Sequence, residues 1–600
     1  MGTNEFQDPL SNLEINHMRL KAIQRAIFLV VGITAMGCQA GLPPAETPAA
    51  EQRATTEPAT LEGAADGVPN GTAAAYYYFS IAQLKIKEGA PAEAQWLLEK
   101  AIQSDARSAA LKMELADLYL SQRNDDKALA LIGQVLADHP NNGEALVLAG
   151  RIYQQRDQIT EAKSLFEKAL ASDPNDPDIY LHLGRIYWNE NDLANAERVF
   201  RRMASHFPSS YAAHYFNGKV LAAQGKHDLA TAAFKRSLDL EPSLEEPRFE
   251  LIEIYRSQKK NTLVIQEYKT ILASNPDNIK ATLELAEYYR EIKRPDLGRP
   301  LLLELGKRSE DDTAVLNYLY ESYLETKQYE KAVWAIEGML RGAPQSSELH
   351  YFAGVAYDGL KQIPKALDHF EKVSYPSRYF ENAVAHHALL LRDMGKLDQA
   401  IAAIRQALVY EPHNGNYFLY LGSFYEELER YDEALAALNQ GLAVDNDNAR
   451  LYFRIGVIHD KAGRRNEAIE AMKQVLRVQP DDSDALNYLG YTYADMGIHL
   501  DEAQAMIQRA MTLKPNDGYI TDSMAWVYYK QGKYEDALKW LLKAVQLVPD
   551  DPVILEHLGD AYLKLGNKEK ALKYYRRSLE FKDKDSPPLK EKIRGLKPTP

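Results

Sequence analysis

Small residues return every 34 positions along this chain, and that period limits what it can fold into. They stand at Ala82, Ala116, Gly150, Gly184 and Gly218, then at Ala286, Gly354, Ala388, Gly422, Gly456, Gly490, Ala525 and Gly559. A second series, of alanines, keeps the same step: Ala94, Ala128, Ala162, Ala196, Ala230, Ala332, Ala366, Ala400, Ala434, Ala468, Ala503, Ala537 and Ala571. Prolines close the period at Pro140, Pro174, Pro208, Pro242, Pro276, Pro344, Pro412, Pro480, Pro515 and Pro549. One added residue near His499 shifts the phase once.

Gly518–Asp551 shows what a single period encodes. Tyr519 to about Lys530 predicts a helix whose apolar face carries Ile520, Met524, Ala525, Val527 and Tyr528. Gly532 supplies a break where a left-handed residue is cheap. Tyr534–Val548 predicts a second helix with Ala537, Leu538, Leu541, Leu542, Ala544 and Val545 inward, and Pro549 ends it because proline cannot donate to a continuing ladder. Alanines facing one another let the two helices approach closely. A hairpin this small cannot bury its own apolar stripe and needs copies stacked beside it.

Counting Gly518 as position 1, the pattern has small residues at positions 8 and 20, a tyrosine at 11 (Tyr119, Tyr153, Tyr187, Tyr255, Tyr289, Tyr323, Tyr357, Tyr425, Tyr493, Tyr528, Tyr562) and proline at 32. It resembles the tetratricopeptide repeat family over about Ala75 to Asp585. The resemblance implies an all-α fold, a right-handed α-solenoid of about fifteen 34-residue helix-turn-helix repeats. That organisation assigns 73–585 to the superhelix and 586–600 to a C-terminal cap and tail. Repeats Glu245–Asn278 and Ile279–Asp312 are the least regular: Ile252 replaces the small residue, Val264 and Gly298 replace the alanine, and Pro295 and Pro300 are expected to delay a second helix. This region is expected to open first. A Tyr-Pro loop at Ser374–Tyr379 replaces the usual turn.

The first 38 residues read as a targeting segment. A basic stretch from Met18 to Arg25 precedes the apolar run Ala26–Met36, too short to span a bilayer and suited to a signal-peptide core. Met18 is the expected start. Ala35-Met36-Gly37-Cys38 resembles a bacterial lipobox, and Cys38 is the one cysteine of the chain. That resemblance implies a lipid on Cys38, and Gln39 after it implies the outer membrane rather than the inner. Residues 39–72 are rich in Ala, Pro, Thr and Glu and read as a disordered tether.

A net charge of −14 argues against a general nucleic-acid scaffold. A single cysteine excludes a disulfide framework within the chain. No His-Glu-x-x-His, phosphate loop or Gly-x-Ser-x-Gly is found, and the neighbours His386 and His387 point to different helix faces. The expectation is a chain without catalytic residues, cofactor or metal.

The family resemblance implies that first helices line a concave groove into which positions 2, 5, 9 and 12 point. Position 9 reads Arg151, Arg185, Lys219, then Glu253, Glu287, Glu321, then mostly apolar residues up to Tyr491 and Trp526. Trp188 and Tyr215 accompany the basic trio, and Tyr491, Tyr519, Trp526 and Tyr529 form an aromatic group. Position 5 is not basic from Ala109 onward, so the carboxylate clamp of chaperone-binding members is not expected. The basic trio suits an acidic segment, with the acidic trio repelling the same segment and setting its register. The expected role is a lipid-anchored scaffold on the periplasmic side of a bacterial membrane. It would bind extended peptides or protein partners during envelope or secretion-complex assembly. The alternative is an accessory scaffold of an exopolysaccharide export machine, with aromatics stacking on sugars.

Overall fold

The computed structural model describes residues 71–309, 313–581 and 586–596, and all of the regular structure among them is helical. Fifteen helical hairpins run from Thr72–Lys87 and Pro91–Ser104 to Pro552–Lys564 and Lys568–Glu580, and a single helix, Pro587–Gly595, follows. The chain is an all-α repeat array. It divides into two compact units, which among the described residues are 71–302 and 303–596. The leader, Cys38 and nearly all of the tether fall in residues 1–70, outside the described residues. The first helix opens at Thr72, the last residue assigned to that tether.

Each hairpin is built by the same local chemistry. The turn between its helices holds a residue in the left-handed region: Gly89, Arg123, Asp157, Asn191 and Gly225 in the first five repeats, with Gly532 at φ 79°, and two, Gly497 and His499, where the chain carries its added residue. The residue before each first helix is in most repeats a side-chain cap. Asn142 accepts from Ala145 N–H at 2.9 Å, Asn278 from Ala281 N–H at 2.7 Å and Asp551 from Ile554 N–H at 2.9 Å, satisfying donors the helix leaves orphaned. Position 4 then ties the first helix to the preceding loop. Tyr180, His214, Arg248, His350 and Tyr452 each reach a backbone carbonyl six residues earlier, at 2.9–3.2 Å.

The distance between the two helices is set where position 8 meets position 24. A Cβ on Gly184 would lie 2.3 Å from the Phe200 ring, and one on Gly218 2.7 Å from Phe234. Phe166, Phe370 and Tyr575 are faced by Gly150, Gly354 and Gly559 in the same way. Where position 8 is Ala82, Ala116, Ala388 or Ala525, position 24 is the smaller Leu98, Ile132, Ile404 or Leu541, all buried. Tyr268 is the one ring at position 24 with a bulky residue opposite, Ile252. It turns its hydroxyl to Glu284 of the next repeat at 3.0 Å, and both Tyr268 and Ile252 are fully buried.

Two expectations for the irregular region need correction. Pro295 does not delay its helix but starts it, in the first turn where no N–H is needed, and Pro300 lies inside Pro295–Ser309. The sharper distortion falls in the next hairpin. There Tyr320 occupies position 8, too large to sit against the second helix. The first helix stops at Leu319 and continues as a π-turn, Tyr320–Leu324, closed by Glu325 N–H on the Tyr320 carbonyl at 2.8 Å. Tyr320 lies 6.4 Å from Phe352 between ring centres. Close by, a Cβ on Gly306 would sit 2.0 Å from the Met339 carbonyl oxygen, so the two backbones touch.

This packing rule is testable by a double-mutant cycle. Gly184→Ala should cost about 1–3 kcal/mol in chemical denaturation, the usual range for overpacking. Adding Phe200→Leu, which recreates the Ala–Leu pairing used at Ala82 and Leu98, should recover part of that loss, whereas simple additivity would refute the rule.

Candidate interaction surface

Arg151, Arg185 and Lys219 stand on three consecutive first helices, Gly143–Gln155, Pro177–Asn189 and Tyr211–Ala223. Arg151 and Arg185 are exposed, and among the described residues neither has an ion-pair partner. Both act on His182. Its imidazole is held below its ordinary pKa by burial and then by the two guanidinium groups, while its ring lies flat on Phe166 at 5.0 Å and its Nδ1 meets Gln154 at 3.1 Å. Lys219 is already engaged. Its ammonium lies 3.5 Å from Glu250 and over the rings of Trp188 and Tyr215, 5.7 and 5.8 Å from their centres. Burial, with the Glu250 and Glu246 carboxylates, pushes the Tyr215 hydroxyl up to about 12. The structure thus gathers Trp188, Tyr215 and Lys219 into one corner and leaves two guanidinium groups open beside it.

The acidic trio is not the repelling stripe expected from the sequence. Glu287 is 8% exposed and takes both arms of the Arg290 guanidinium, with Nε at 2.9 Å. Glu253 lies 3.5 Å from Arg256, which also pairs with Glu291 at 2.8 Å. In both repeats an arginine one helical turn on neutralises the carboxylate. Glu321 is exposed and belongs to the other unit.

The C-terminal aromatic group also differs from the expectation. Trp526 is 8% exposed, not an open anchor. It is flanked by Tyr529, stacked at 4.7 Å, and by His557 of the next repeat, stacked at 3.9 Å, and its Nε1 donates to Asp495 at 3.4 Å. Tyr491 lies 6.3 Å from the same imidazole, while Tyr519, 38% exposed, sits in the first turn of its helix. Lys530 donates to the Asp495 carbonyl at 2.7 Å and lies over the Trp526 ring at 5.1 Å.

Sequence reasoning missed the centre of this group. His557 Nδ1 donates to both oxygens of Asp522, at 2.9 and 3.0 Å, and both residues are buried. Burial alone would lower the His557 pKa. The Asp522 carboxylate outweighs it, with Asp560 and Glu556 adding, and the net shift is upward. The signal was present: Asp522 is at position 5 of its repeat and His557 at position 6 of the next, so adjacent first helices bring them together. The pair's contribution is fully present below the ordinary histidine pKa and is lost as pH rises through the raised folded value. Asp522→Asn should cost about 3–5 kcal/mol, because it strands a buried imidazolium. Denaturation at pH 6 and pH 9 checks this: the loss should be larger at pH 6, and an equal loss at both would contradict it.

Among the described residues no group of three or more His, Cys, Asp or Glu is arranged to hold a metal ion, and no helix is long and apolar enough to cross a membrane. His386 stacks on Phe370 at 5.3 Å, and burial lowers the His387 pKa.

Family models for the tetratricopeptide repeat match residues 85–152, 153–215, 526–566 and 552–585. A model described as the C-terminal ARM domain of tetratricopeptide repeat protein 21 matches 298–487. A repeat-containing protein of Pseudomonas aeruginosa is 49% identical over 57 residues, a match that spans 10% of this chain and 10% of that protein. Among solved structures, a tetratricopeptide repeat protein from Parabacteroides merdae is 17% identical at a TM-score of 0.35, covering 42% of this chain and 99% of that one. A structure of Naa15/Naa10 bound to HypK is 13% identical at a TM-score of 0.41, covering 87% and 96%. With repeat models matched toward both ends, and hairpins at a 34-residue step, shifted once near His499, between them, the chain belongs to the tetratricopeptide repeat family.

Proposed function

We propose that the chain is a non-enzymatic scaffold that holds an extended acidic segment of a partner protein along the first helices of residues 143–223. One observation carries this reading: Arg151 and Arg185 occupy the same position of neighbouring repeats, are exposed, and form no ion pair among the described residues, Arg151 acting on the Asp117 carboxylate only at longer range. Unpaired guanidinium groups offer fixed forks of donors that match carboxylates. Trp188 and Tyr215 beside them add half-buried ring surface of the kind interfaces use as anchors. Lys219 contributes less than its formal charge, since Glu250 and two aromatic rings already hold it. With Glu253 and Glu287 neutralised by Arg256 and Arg290, register falls to the spacing of Arg151 and Arg185 and not to repulsion further on.

Each exposed charge alone is worth under about 1 kcal/mol, so the pair must be changed together. Arg151→Glu combined with Arg185→Glu should slow association with a fluorescent Asp/Glu-rich peptide by about tenfold or more in low salt. It should also flatten the salt dependence. An unchanged rate for the folded double variant would remove this face from consideration.

The same proposal places the scaffold at a bacterial envelope, tethered through a lipid on Cys38 and facing the periplasm from the outer membrane. The basic stretch, the eleven-residue apolar run and the cysteine that follows support it. Cys38→Ser should move the protein from the membrane fraction to the soluble fraction. A variant that still sediments with membranes and still takes up a fatty-acid analogue would contradict the anchor.

A further inference from the structure

Two histidines meet nitrogen to nitrogen inside the second unit. His350 Nδ1 lies 2.9 Å from His369 Nδ1, and both residues are buried. His350 Nε2 lies 3.1 Å from the Pro344 carbonyl oxygen, and His369 Nε2 lies 3.2 Å from Glu337 Oε1, which also accepts from the Tyr357 hydroxyl at 2.8 Å. Both ends of this chain are devices the fold uses elsewhere. The position-4 contact to a loop carbonyl is made by donors in Tyr180, Arg248 and Tyr452, so the nitrogen His350 presents there carries hydrogen. The tyrosine-to-glutamate bond recurs as Tyr119–Glu99, at 3.2 Å, and as Tyr187–Glu167. His369 joins the two devices at a position where Leu97, Leu165 and Val199 stand in other repeats.

Counting hydrogens fixes the state of the cluster. The carbonyl can only accept, so one hydrogen sits on His350 Nε2. The gap between the two Nδ1 atoms needs one hydrogen, no more and no fewer. The gap between His369 Nε2 and Glu337 needs a third. Two neutral imidazoles supply two. All three contacts are therefore made only when the cluster holds one proton beyond two neutral rings and an ionised carboxylate. Without that proton, a pair of lone pairs faces each other at one gap. With a second added to the rings, two N–H groups collide between them.

We propose that His350, His369 and Glu337 form a proton-gated latch that fastens the Tyr329–Met339 helix to the Ser347–Glu371 hairpin and closes over a limited pH range. Other charged groups facing it are Lys365, whose ammonium lies 5.0 Å from the Tyr357 ring centre, and Lys372 and Asp368, themselves paired at 2.7 Å. The Tyr357 ring stacks on His369 at 5.3 Å, and His386 of the next hairpin stacks on Phe370, the neighbour of His369. The acid limb follows from shifts in one direction. Burial, with His369 and Lys372 adding, lowers the His350 pKa against the Pro344 bond. The His369 bond, joined by Tyr357 against the opposing effect of burial, lowers that of Glu337. Each depressed group contributes stability that is present above its unfolded pKa and is lost as pH falls. The alkaline limb is loss of the shared proton. Through Glu337 the latch holds the second helix of the π-turn hairpin.

Peptide-resolved hydrogen exchange of the full chain across pH 5–9, corrected for intrinsic rates and referenced to 415–478, tests this. Protection of 329–371 should pass through a maximum and fall on both sides, by up to about tenfold per pH unit for a one-proton step. His369→Leu, the residue found at this position in other repeats, should abolish the maximum. Glu337→Gln keeps an acceptor for Tyr357 but removes the charge that holds the third proton, and should move the alkaline limb to lower pH. A pH-independent ratio in the unaltered chain, or the same maximum in either variant, would overturn the latch.

Discussion

A glycine or alanine pressed against the side chain sixteen or seventeen residues later decides how near the two helices of each hairpin lie. Where Phe166, Phe200 or Phe234 fills position 24, the glycine opposite leaves room for it, and an alanine is accompanied by leucine or isoleucine, with Tyr268 opposite Ile252 the exception. The pairing fixes how the hairpin is closed and therefore which residues of the first helix turn outward. Helix caps, left-handed turn residues and the position-4 bond to the loop carbonyl hold the ends, but each contributes at one point. Stability in such an array is a sum over repeats and their neighbours. A mismatch at one position 8 is consequently absorbed locally, as Tyr320 shows by forcing a π-turn in its own hairpin.

How much of this could be read from the residues depends on how far the deciding partner lies in sequence. The hairpins were legible because their determinants repeat within one period: Gly532 takes a left-handed φ, and the helices predicted over 519–530 and 534–548 form as Gly518–Lys530 and Tyr534–Leu547. The π-turn is not, since the consequence of Tyr320 at position 8 depends on the second helix opposite. Pro295 was misjudged because a proline in the first helical turn loses nothing. The surface divides the same way. The signs of the charges at position 9 could be read directly, but Glu287 is silenced by a partner whose reach depends on its burial, and Trp526 is closed off by His557 from the following repeat.

What the fold offers a partner is therefore narrower than its formal charge pattern. Several charged residues of the first helices are spent on neighbours: Lys219 on Glu250, Arg256 on Glu291, Lys530 on Asp495. Arg151 and Arg185 stand out because neither forms an ion pair among the described residues: both depress the half-buried His182, and Arg151 acts only at longer range on Asp117, whose carboxyl burial still holds above its ordinary pKa. Charges left open in this way, and not the total of −14, give a surface its preference for one partner over another.

Site-specific photo-cross-linking tests the account most directly. A photoreactive residue placed at Arg185 reports on the first-helix face, and one at Lys235, exposed on the second helix His227–Leu240, reports on the opposite layer. The account predicts that an Asp/Glu-rich peptide cross-links from position 185 and that excess unlabelled peptide suppresses the product, with little product from position 235. Equal yields from the two positions, or a higher yield from 235, would contradict it.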